Sequence, residues 1–188
     1  MSTWCMIDLE TLGINPTCPV ISLGAVTYSY ENGIYGCFHR FFNLDEQFRA
    51  GRLPQQQTLN WWLKQSEEAR QSLAKDRTRL SVEEMVDEFF EFWREDVDDP
   101  VQDWSAGDDP ALGAKVISNG ANFDIAILSS LFPEVPWHYK NTRCFRSMID
   151  WFGPVTYPEG GTKHDALSDA RAQAQVHLDL MVKNEQLR

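Results

Sequence analysis

A turn signal near the N-terminus constrains the fold more than any other feature of the chain. Glu31-Asn32-Gly33 is typical of a tight turn between antiparallel strands. Residues 20–30 before it and residues 34–42 after it are rich in β-branched and aromatic side chains, and residues 4–9 form a further short apolar segment. These segments predict a meander of three antiparallel strands at the start of the chain.

The remainder of the chain is predicted to be mostly helical. Ser81 and Glu84 have the spacing of a capping box, and the apolar residues behind them recur at helical intervals. We predict further helices at residues 58–65, 66–75, 123–132, 145–152 and 166–184, and one more strand at residues 115–118. This order of elements predicts a single α/β domain, residues 1–188, in which helices pack on one mixed sheet.

The negative charge of the chain is concentrated in one segment. The formal net charge is −11, and residues 83–109 alone contain 12 acidic residues and one basic residue. The rest of the chain is neutral overall, so a nucleic-acid substrate is not excluded. The chain also has no extended basic stripe of the kind that holds a long duplex. We expect the acidic segment either to face away from the substrate or to recruit a partner.

The sequence predicts a cytoplasmic protein without a membrane segment. The first ten residues lack a basic region, so a signal peptide is not expected. The longest uncharged stretch, residues 11–30, contains two prolines and two glycines and is too polar to form a membrane-spanning helix. The four cysteines show no C-x-x-C spacing, which indicates reduced thiols rather than a zinc site.

Acidic residues occur at three places where apolar neighbours dominate. Asp8 and Glu10 end the first predicted strand, and alternation along a strand puts both on one face, where they repel each other unless a cation lies between them. Two exposed acids at a strand end are the alternative. Asp124 lies in the first turn of a predicted helix, where helix capping is a sufficient explanation when the residue is taken alone.

The third cluster opens the last predicted helix. His164 lies just before the helix and Asp169 lies on it, while Asp165 is a candidate cap residue that leaves Asp169 without a structural role. A polar surface histidine is the alternative. Taken together, the four carboxylates and one histidine predict a site for two Mg²⁺ ions, with Mn²⁺ as a substitute, because such ions stabilise the attacking and leaving oxygens of a phosphoryl displacement. A neutral histidine is suited to take a proton from the attacking water.

The order D-x-E, N-F-D and H-x4-D resembles the DEDDh 3′–5′ exonucleases of the DnaQ-like, ribonuclease H-fold superfamily. The block Thr58-Leu59-Asn60-Trp61-Trp62 is similar to a T-x-x-W-W block in the branch of phage exonuclease A, exonuclease VIII and the Rv2179c-like exoribonucleases. Residues 141–146 resemble an R-D-x-R segment of that branch, with Cys144 where an aspartate is usual.

The resemblance implies a ribonuclease H-like fold with a five-stranded mixed sheet flanked by helices. It implies that Asp8 bridges two metal ions, that Glu10 and Asp169 hold the ion of the attacking water, that Asp124 holds the second ion, and that His164 is the general base. The implied activity is removal of nucleoside 5′-monophosphates from the 3′ end of single-stranded DNA or RNA. The implied oligomeric state is a homodimer, which the residues themselves leave open.

Six further residues are candidate substrate contacts: Thr11, Leu12, Trp62, Asn122, Arg143 and Arg146. Leu12 is expected either to wedge against the terminal base or to pack in its loop. One of two adjacent tryptophans is expected to offer a stacking surface, with core packing as the alternative. The two arginines, one helical turn apart, are expected to clamp a phosphate or to lie on the surface. The alternatives for the whole chain are a catalytically weak module of the same fold, which binds nucleic acid or a partner, and a small-molecule phosphohydrolase or endonuclease.

Overall fold

The computed structural model describes residues 3–71, 77–97 and 113–185. The chain begins with three antiparallel strands, β1 (Trp4–Thr11), β2 (Val20–Ser29) and β3 (Gly33–Phe42). The predicted meander and the turn between its second and third strands are therefore confirmed.

Within the described residues the sheet contains six strands rather than the five that the resemblance implied. Three short strands complete it: β4 (Arg79–Leu80), β5 (Lys115–Ser118) and β6 (Thr142–Cys144). The order across the sheet is β4-β3-β2-β1-β5-β6, and β1 is parallel to β5. The predicted mixed α/β sheet flanked by helices is confirmed. The strands β4 and β6 are too short to show an alternating pattern, which is why the sequence did not indicate them.

Seven α-helices lie within the described residues: α1 (Leu44–Arg49), α2 (Gln56–Trp62), α3 (Glu67–Arg70), α4 (Val82–Asp96), α5 (Asp124–Leu131), α6 (Phe145–Phe152) and α7 (Ala166–Glu185). The last four begin within one residue of their predicted positions. Helix α1 was not predicted, and α2 begins two residues early. The helix predicted at 66–75 ends at residue 70, and its positions 72–76 lie outside the described residues. In the part of the chain that the structure describes, none of these helices is long and apolar enough to cross a membrane.

The two faces of β1 contact different helices. Cys5, Ile7 and Leu9 pack in one cluster with residues of α4 and α5, whereas Met6 packs on the other face with α6 and α7. The capping box of Ser81 and Glu84 at the start of α4 is present as predicted. Since Asp8 and Glu10 alternate with Ile7 and Leu9, their side chains lie on the face opposite α4. The helical part of the acidic segment therefore lies away from them, and its residues 98–109 lie outside the described residues.

A glycine in β2 lets α7 approach the sheet beside Asp8. Gly24 is paired with Asp8 in the β1–β2 ladder. A Cβ atom at Gly24 would lie 2.2 Å from the backbone carbon of Ala166 and 2.4 Å from the backbone nitrogen of Leu167. Ala166 and Ala170, one helical turn apart, are fully buried on the same helix. Small residues on both elements therefore bring the first turn of α7 next to the acidic end of β1.

Candidate active site

The first two acidic residues share a face at the C-terminal end of β1. Asp8 pairs with Gly24 and Glu10 pairs with Ser22 across the β1–β2 ladder, as expected for residues two apart on a strand. Glu10 is only 6% exposed. Burial, followed by the negative charge of Asp169, raises the pKa of Glu10 to about 8. The alternative of two exposed acids at a strand end does not describe these residues.

Asp124 joins this end of β1 through a long-range hydrogen bond. The Leu9 backbone N–H donates to Asp124 Oδ1 at 3.2 Å. The partner strand β5 pairs with β1 only as far as Met6, so the carboxylate takes the place that a strand carbonyl would otherwise fill. Burial raises the pKa of Asp124 to about 7, although the bond from Leu9 opposes the shift. Asp124 is therefore part of the acidic site and not only a residue at the start of its own helix.

The start of α7 supplies the third part of the site. The Ser168 backbone N–H donates to Asp165 Oδ1 at 3.0 Å, so Asp165 acts as the cap residue. Asp169 Oδ2 accepts a hydrogen bond of 3.1 Å from the His164 backbone N–H. One ligand atom each of Glu10, His164 and Asp169 lie within 4.8 Å of one another. The structure thus brings together residues that are more than 150 positions apart in the sequence.

Burial and the neighbouring carboxylates raise the pKa values of Asp8 and Glu10. Burial, followed by the charges of Asp124, Glu10 and Asp169, raises the pKa of Asp8 well above its ordinary value. The side-chain amide of Gln173 donates to Asp8 Oδ1 at 2.9 Å and opposes this shift. A divalent cation would supply the missing positive charge and favour the ionised carboxylates. Because carboxylate oxygens are the ligands that Mg²⁺ and Mn²⁺ prefer, the residues present fit such an ion.

Two of the predicted substrate contacts are not available to a ligand. Trp62 is 2% exposed, and its indole N–H donates to the Thr11 carbonyl at 2.8 Å. Leu12 is 5% exposed and packs in the same apolar cluster as Trp62. The predictions that Trp62 stacks on a base and that Leu12 wedges against one are therefore wrong, because both side chains form part of the core. Trp61, the neighbour of Trp62, is 40% exposed instead.

A pocket lies directly beside Glu10 and has a volume of about 380 Å³. Its walls include the indole ring of Trp61 and the ring of Phe123, and it extends along the end of β1 to Thr11 and Gly13. The Thr11 hydroxyl donates to the Gly13 carbonyl at 2.7 Å. Ligand pockets in proteins commonly begin at roughly 300 Å³. The predicted contact Thr11 therefore lies in the wall of a pocket of suitable size.

The two predicted arginines do not lie on one helix. Arg143 belongs to β6 and donates to two backbone carbonyls of the residues just before it, whereas Arg146 belongs to α6. The exposed Arg146 side chain donates to the Asn119 carbonyl at 2.9 Å, and its charge lowers the pKa of Asp124. The prediction of a shared helical turn is wrong, and of the two arginines it is Arg146 whose charge acts on a carboxylate of the site. Asn122 is exposed in the turn that precedes α5.

Three residues close to the site were not among the predicted site residues. Gln173 lies one helical turn after Asp169, a spacing that offered a signal for its position. Trp61 belongs to a tryptophan pair whose orientation the sequence left open. No local motif marks Tyr157. Burial and the charge of Asp169 raise its pKa, whereas the charge of Arg146 lowers it. The Tyr157 hydroxyl therefore lies within the electrostatic reach of Arg146 and Asp169.

Comparison with solved structures shows that this fold is similar to those of two exonucleases. The chain is similar to E. coli exonuclease I in complex with a dT13 oligonucleotide, with a TM-score of 0.64 and 14% identity over 100% of this chain and 42% of that chain. It is also similar to exonuclease X in complex with 5′ overhanging duplex DNA, with a TM-score of 0.58 and 16% identity over 97% of this chain and 93% of that chain. The chain thus spans about two fifths of the length of exonuclease I.

A family model identifies the branch. Residues 3–181 match the model of the 3′–5′ exoribonuclease Rv2179c-like domain, and the chain belongs to that family. The predicted resemblance to this branch of the exonucleases is thereby confirmed. A comparison with curated protein sequences found no match.

Proposed function

We propose that the chain removes nucleoside 5′-monophosphates one at a time from the 3′ end of single-stranded nucleic acid by a metal-dependent hydrolysis. The observation that supports this most strongly is the group of Glu10, His164 and Asp169, whose ligand atoms lie within 4.8 Å of one another. Asp8 lies close enough for the charges of Glu10, Asp124 and Asp169 to raise its pKa. Asp124 is held at the end of β1 by the hydrogen bond from the Leu9 backbone N–H. A proton acceptor beside several cation ligands is the combination that water attack on a phosphodiester requires.

The four carboxylates would hold two Mg²⁺ ions, with Mn²⁺ as a substitute. Asp8 would bridge both ions, Glu10 and Asp169 would complete the ligands of one, and Asp124 would hold the other. When bound, such ions stabilise the negative charge that develops on the attacking and leaving oxygens. Gln173 would keep the Asp8 carboxylate in a fixed orientation through its hydrogen bond of 2.9 Å.

His164 would act as the general base. Its imidazole ring presents a nitrogen to the same small volume as the Glu10 and Asp169 carboxylates, and a neutral imidazole has one ring nitrogen that can accept a proton. The backbone of His164 has φ +61°, which places the residue in the left-handed region that is uncommon outside glycine. The bond from its N–H to Asp169 Oδ2 supports this conformation, so that the base and a metal ligand share one local turn.

The pocket beside Glu10 would receive the terminal nucleotide. Trp61 and Phe123 offer aromatic surface for the base, and aromatic stacking holds single-stranded ends without sequence preference. Arg146, whose charge lowers the pKa of Asp124, would contact a phosphate. Single strands are favoured over long duplexes because outside residues 83–109 the chain is neutral and has no extended basic stripe.

Matched RNA and DNA oligonucleotides of one sequence, each labelled at the 5′ end, test this function directly. We expect progressive shortening of the labelled strand with Mg²⁺, release of nucleoside 5′-monophosphates, and faster cleavage of RNA, since the family is described as one of exoribonucleases. A variant with Asp8→Asn should leave both substrates intact. Internal cleavage or mononucleotides with a 3′-phosphate would contradict the proposal.

A further inference from the structure

One aromatic contact in the site has no place in the reaction described above. The rings of Trp61 and His164 lie with their centroids 4.7 Å apart and their planes at 79°, an edge-to-face arrangement. Trp61 comes from α2, whereas His164 comes from the turn before α7. The contact therefore joins two parts of the chain that are about 100 residues apart.

The Trp61 ring is held by a rigid support. It makes an edge-to-face contact with the ring of Trp62, with centroids 5.1 Å apart and planes at 78°. Trp62 is 2% exposed and is bonded through its indole N–H to the carbonyl of Thr11, the residue after Glu10. The position of the Trp61 ring is thus set by the same strand that carries Asp8 and Glu10.

The imidazole ring of His164 needs an external support. Residues 156–163, which lead into His164, are all exposed, so the preceding segment does not pack around the ring. The backbone N–H of His164 is bonded to Asp169, but that bond leaves rotation about the side-chain torsions free. Among the described residues, the structure shows no hydrogen bond to the imidazole nitrogens of His164. The aromatic side chain in contact with the imidazole ring is that of Trp61.

We infer that Trp61 is a positioning residue for His164, which holds the imidazole ring toward the carboxylates of Glu10 and Asp169. This inference rests on the proposed function, in which His164 is the base. The same indole ring lines the pocket for the terminal nucleotide. A base stacked in that pocket would restrict the Trp61 ring further, so that seating a strand end would also fix the orientation of His164. Proton transfer would then be most efficient when the pocket is filled.

A double-mutant cycle tests the inference. The variants W61A and H164A and the double variant are compared with the wild type in single-turnover and steady-state cleavage of a 5′-labelled single strand with Mg²⁺. The interaction energy of an edge-to-face aromatic pair corresponds to a factor of about three to ten in an equilibrium constant. We therefore expect W61A to lower kcat by about three- to tenfold in the wild-type background. In the H164A background the same change should alter kcat by less than about twofold, because the base is already missing.

Two further variants serve as controls. W61F keeps an aromatic ring at the same position and should restore most of kcat. W151A removes an indole ring that is 88% exposed on α6 and should leave kcat and KM unchanged. An equal loss of kcat from W61A in both backgrounds would overturn the inference, since Trp61 would then act only on the substrate or on the fold. An unchanged kcat in W61A would overturn it as well.

An NMR measurement separates this inference from the proposed function. The chain has four histidines, and the signals of the His164 ring are identified by their loss in H164A. The inference predicts that the ring-current shift of these signals is lost in W61A and retained in W61F and W151A. If W61A leaves the signals unchanged while H164A lowers kcat, the proposed function stands and the positioning role fails. If the signals move but H164A has full activity, the contact is real and the assignment of the base fails.

Discussion

Glu10→Gln should stabilise the metal-free protein at alkaline pH. The folded pKa of Glu10 is raised from 4.5 to about 8, first by burial and then by the charge of Asp169. Between these two values the folded chain binds a proton that the unfolded chain has lost, so the free energy of unfolding falls as the pH rises. Above pH 8 the loss of stability that comes from ionising Glu10 in the folded chain is complete.

The size of the effect follows from the same two values. A shift of one pKa unit corresponds to about 1.4 kcal/mol. The rise of the Glu10 pKa from 4.5 to about 8 therefore lowers the free energy of unfolding by about 5 kcal/mol at pH 9. Rearrangement of side chains around the charged carboxylate lowers this figure, so we expect Glu10→Gln to raise the free energy of unfolding by between about 2 and 5 kcal/mol at pH 9. At pH 5 the same substitution should change it by less than about 1 kcal/mol.

Urea unfolding followed by tryptophan fluorescence, in EDTA at pH 5 and pH 9, measures both values. The exposed turn residue Glu31 provides a matched control, and Glu31→Gln should change stability by no more than about 0.5 kcal/mol at either pH. If Glu10 is a metal ligand as proposed, Mg²⁺ should stabilise the wild type more than the Glu10→Gln variant, because a ligand that binds only the folded state raises its stability. A variant that gains no stability at pH 9, or gains equally at pH 5, would refute the account of a crowded acidic site.

Three further substitutions test the geometry of the site. Gly24→Ala should displace the start of α7, because its Cβ would lie 2.2 Å from the Ala166 backbone. Nuclease activity should be lost, and the free energy of unfolding should fall by about 1–3 kcal/mol. The control Gly51→Asn, at an open turn with φ +85°, should leave activity unchanged in the same assay. His164→Ala should slow single-turnover cleavage by roughly 10²–10⁴-fold without altering the circular dichroism spectrum, and a loss below about tenfold would contradict its role. Asp169→Ala should abolish cleavage while thermal unfolding remains cooperative, and retained activity would exclude Asp169 as a metal ligand.

The sequence predicted those parts of the fold that depend on local patterns. The strand β5, the helix α6 and the capping box of α4 all follow from apolar periodicity or from cap residues within a few positions. The strands β4 and β6 are two and three residues long, and their pairing is decided by the sheet rather than by their own residues. Periodicity cannot indicate strands of that length.

The site could be predicted as a set of residues but not as an arrangement. The ordered acidic residues and His164 indicated the superfamily, and the T-x-x-W-W block indicated the branch that the family model confirmed. Which tryptophan of the pair is exposed depends on how α2 packs on the end of β1, where the buried Trp62 donates to the Thr11 carbonyl. The separation of Arg143 from Arg146 depends on where β6 ends and α6 begins. Contacts of this kind join distant elements, and no local pattern records them.

The dependence of cleavage on divalent cations tests the central claim most directly. The claim is that Asp8, Glu10, Asp124 and Asp169 act by holding metal ions at the end of β1. The protein is first stripped with EDTA, and the rate of 3′-terminal hydrolysis is then measured as Mg²⁺ or Mn²⁺ is added back, with Asp8→Asn as the variant that should not respond. The account predicts no cleavage in EDTA and full recovery with either ion in the wild type. Full activity in excess EDTA would contradict it.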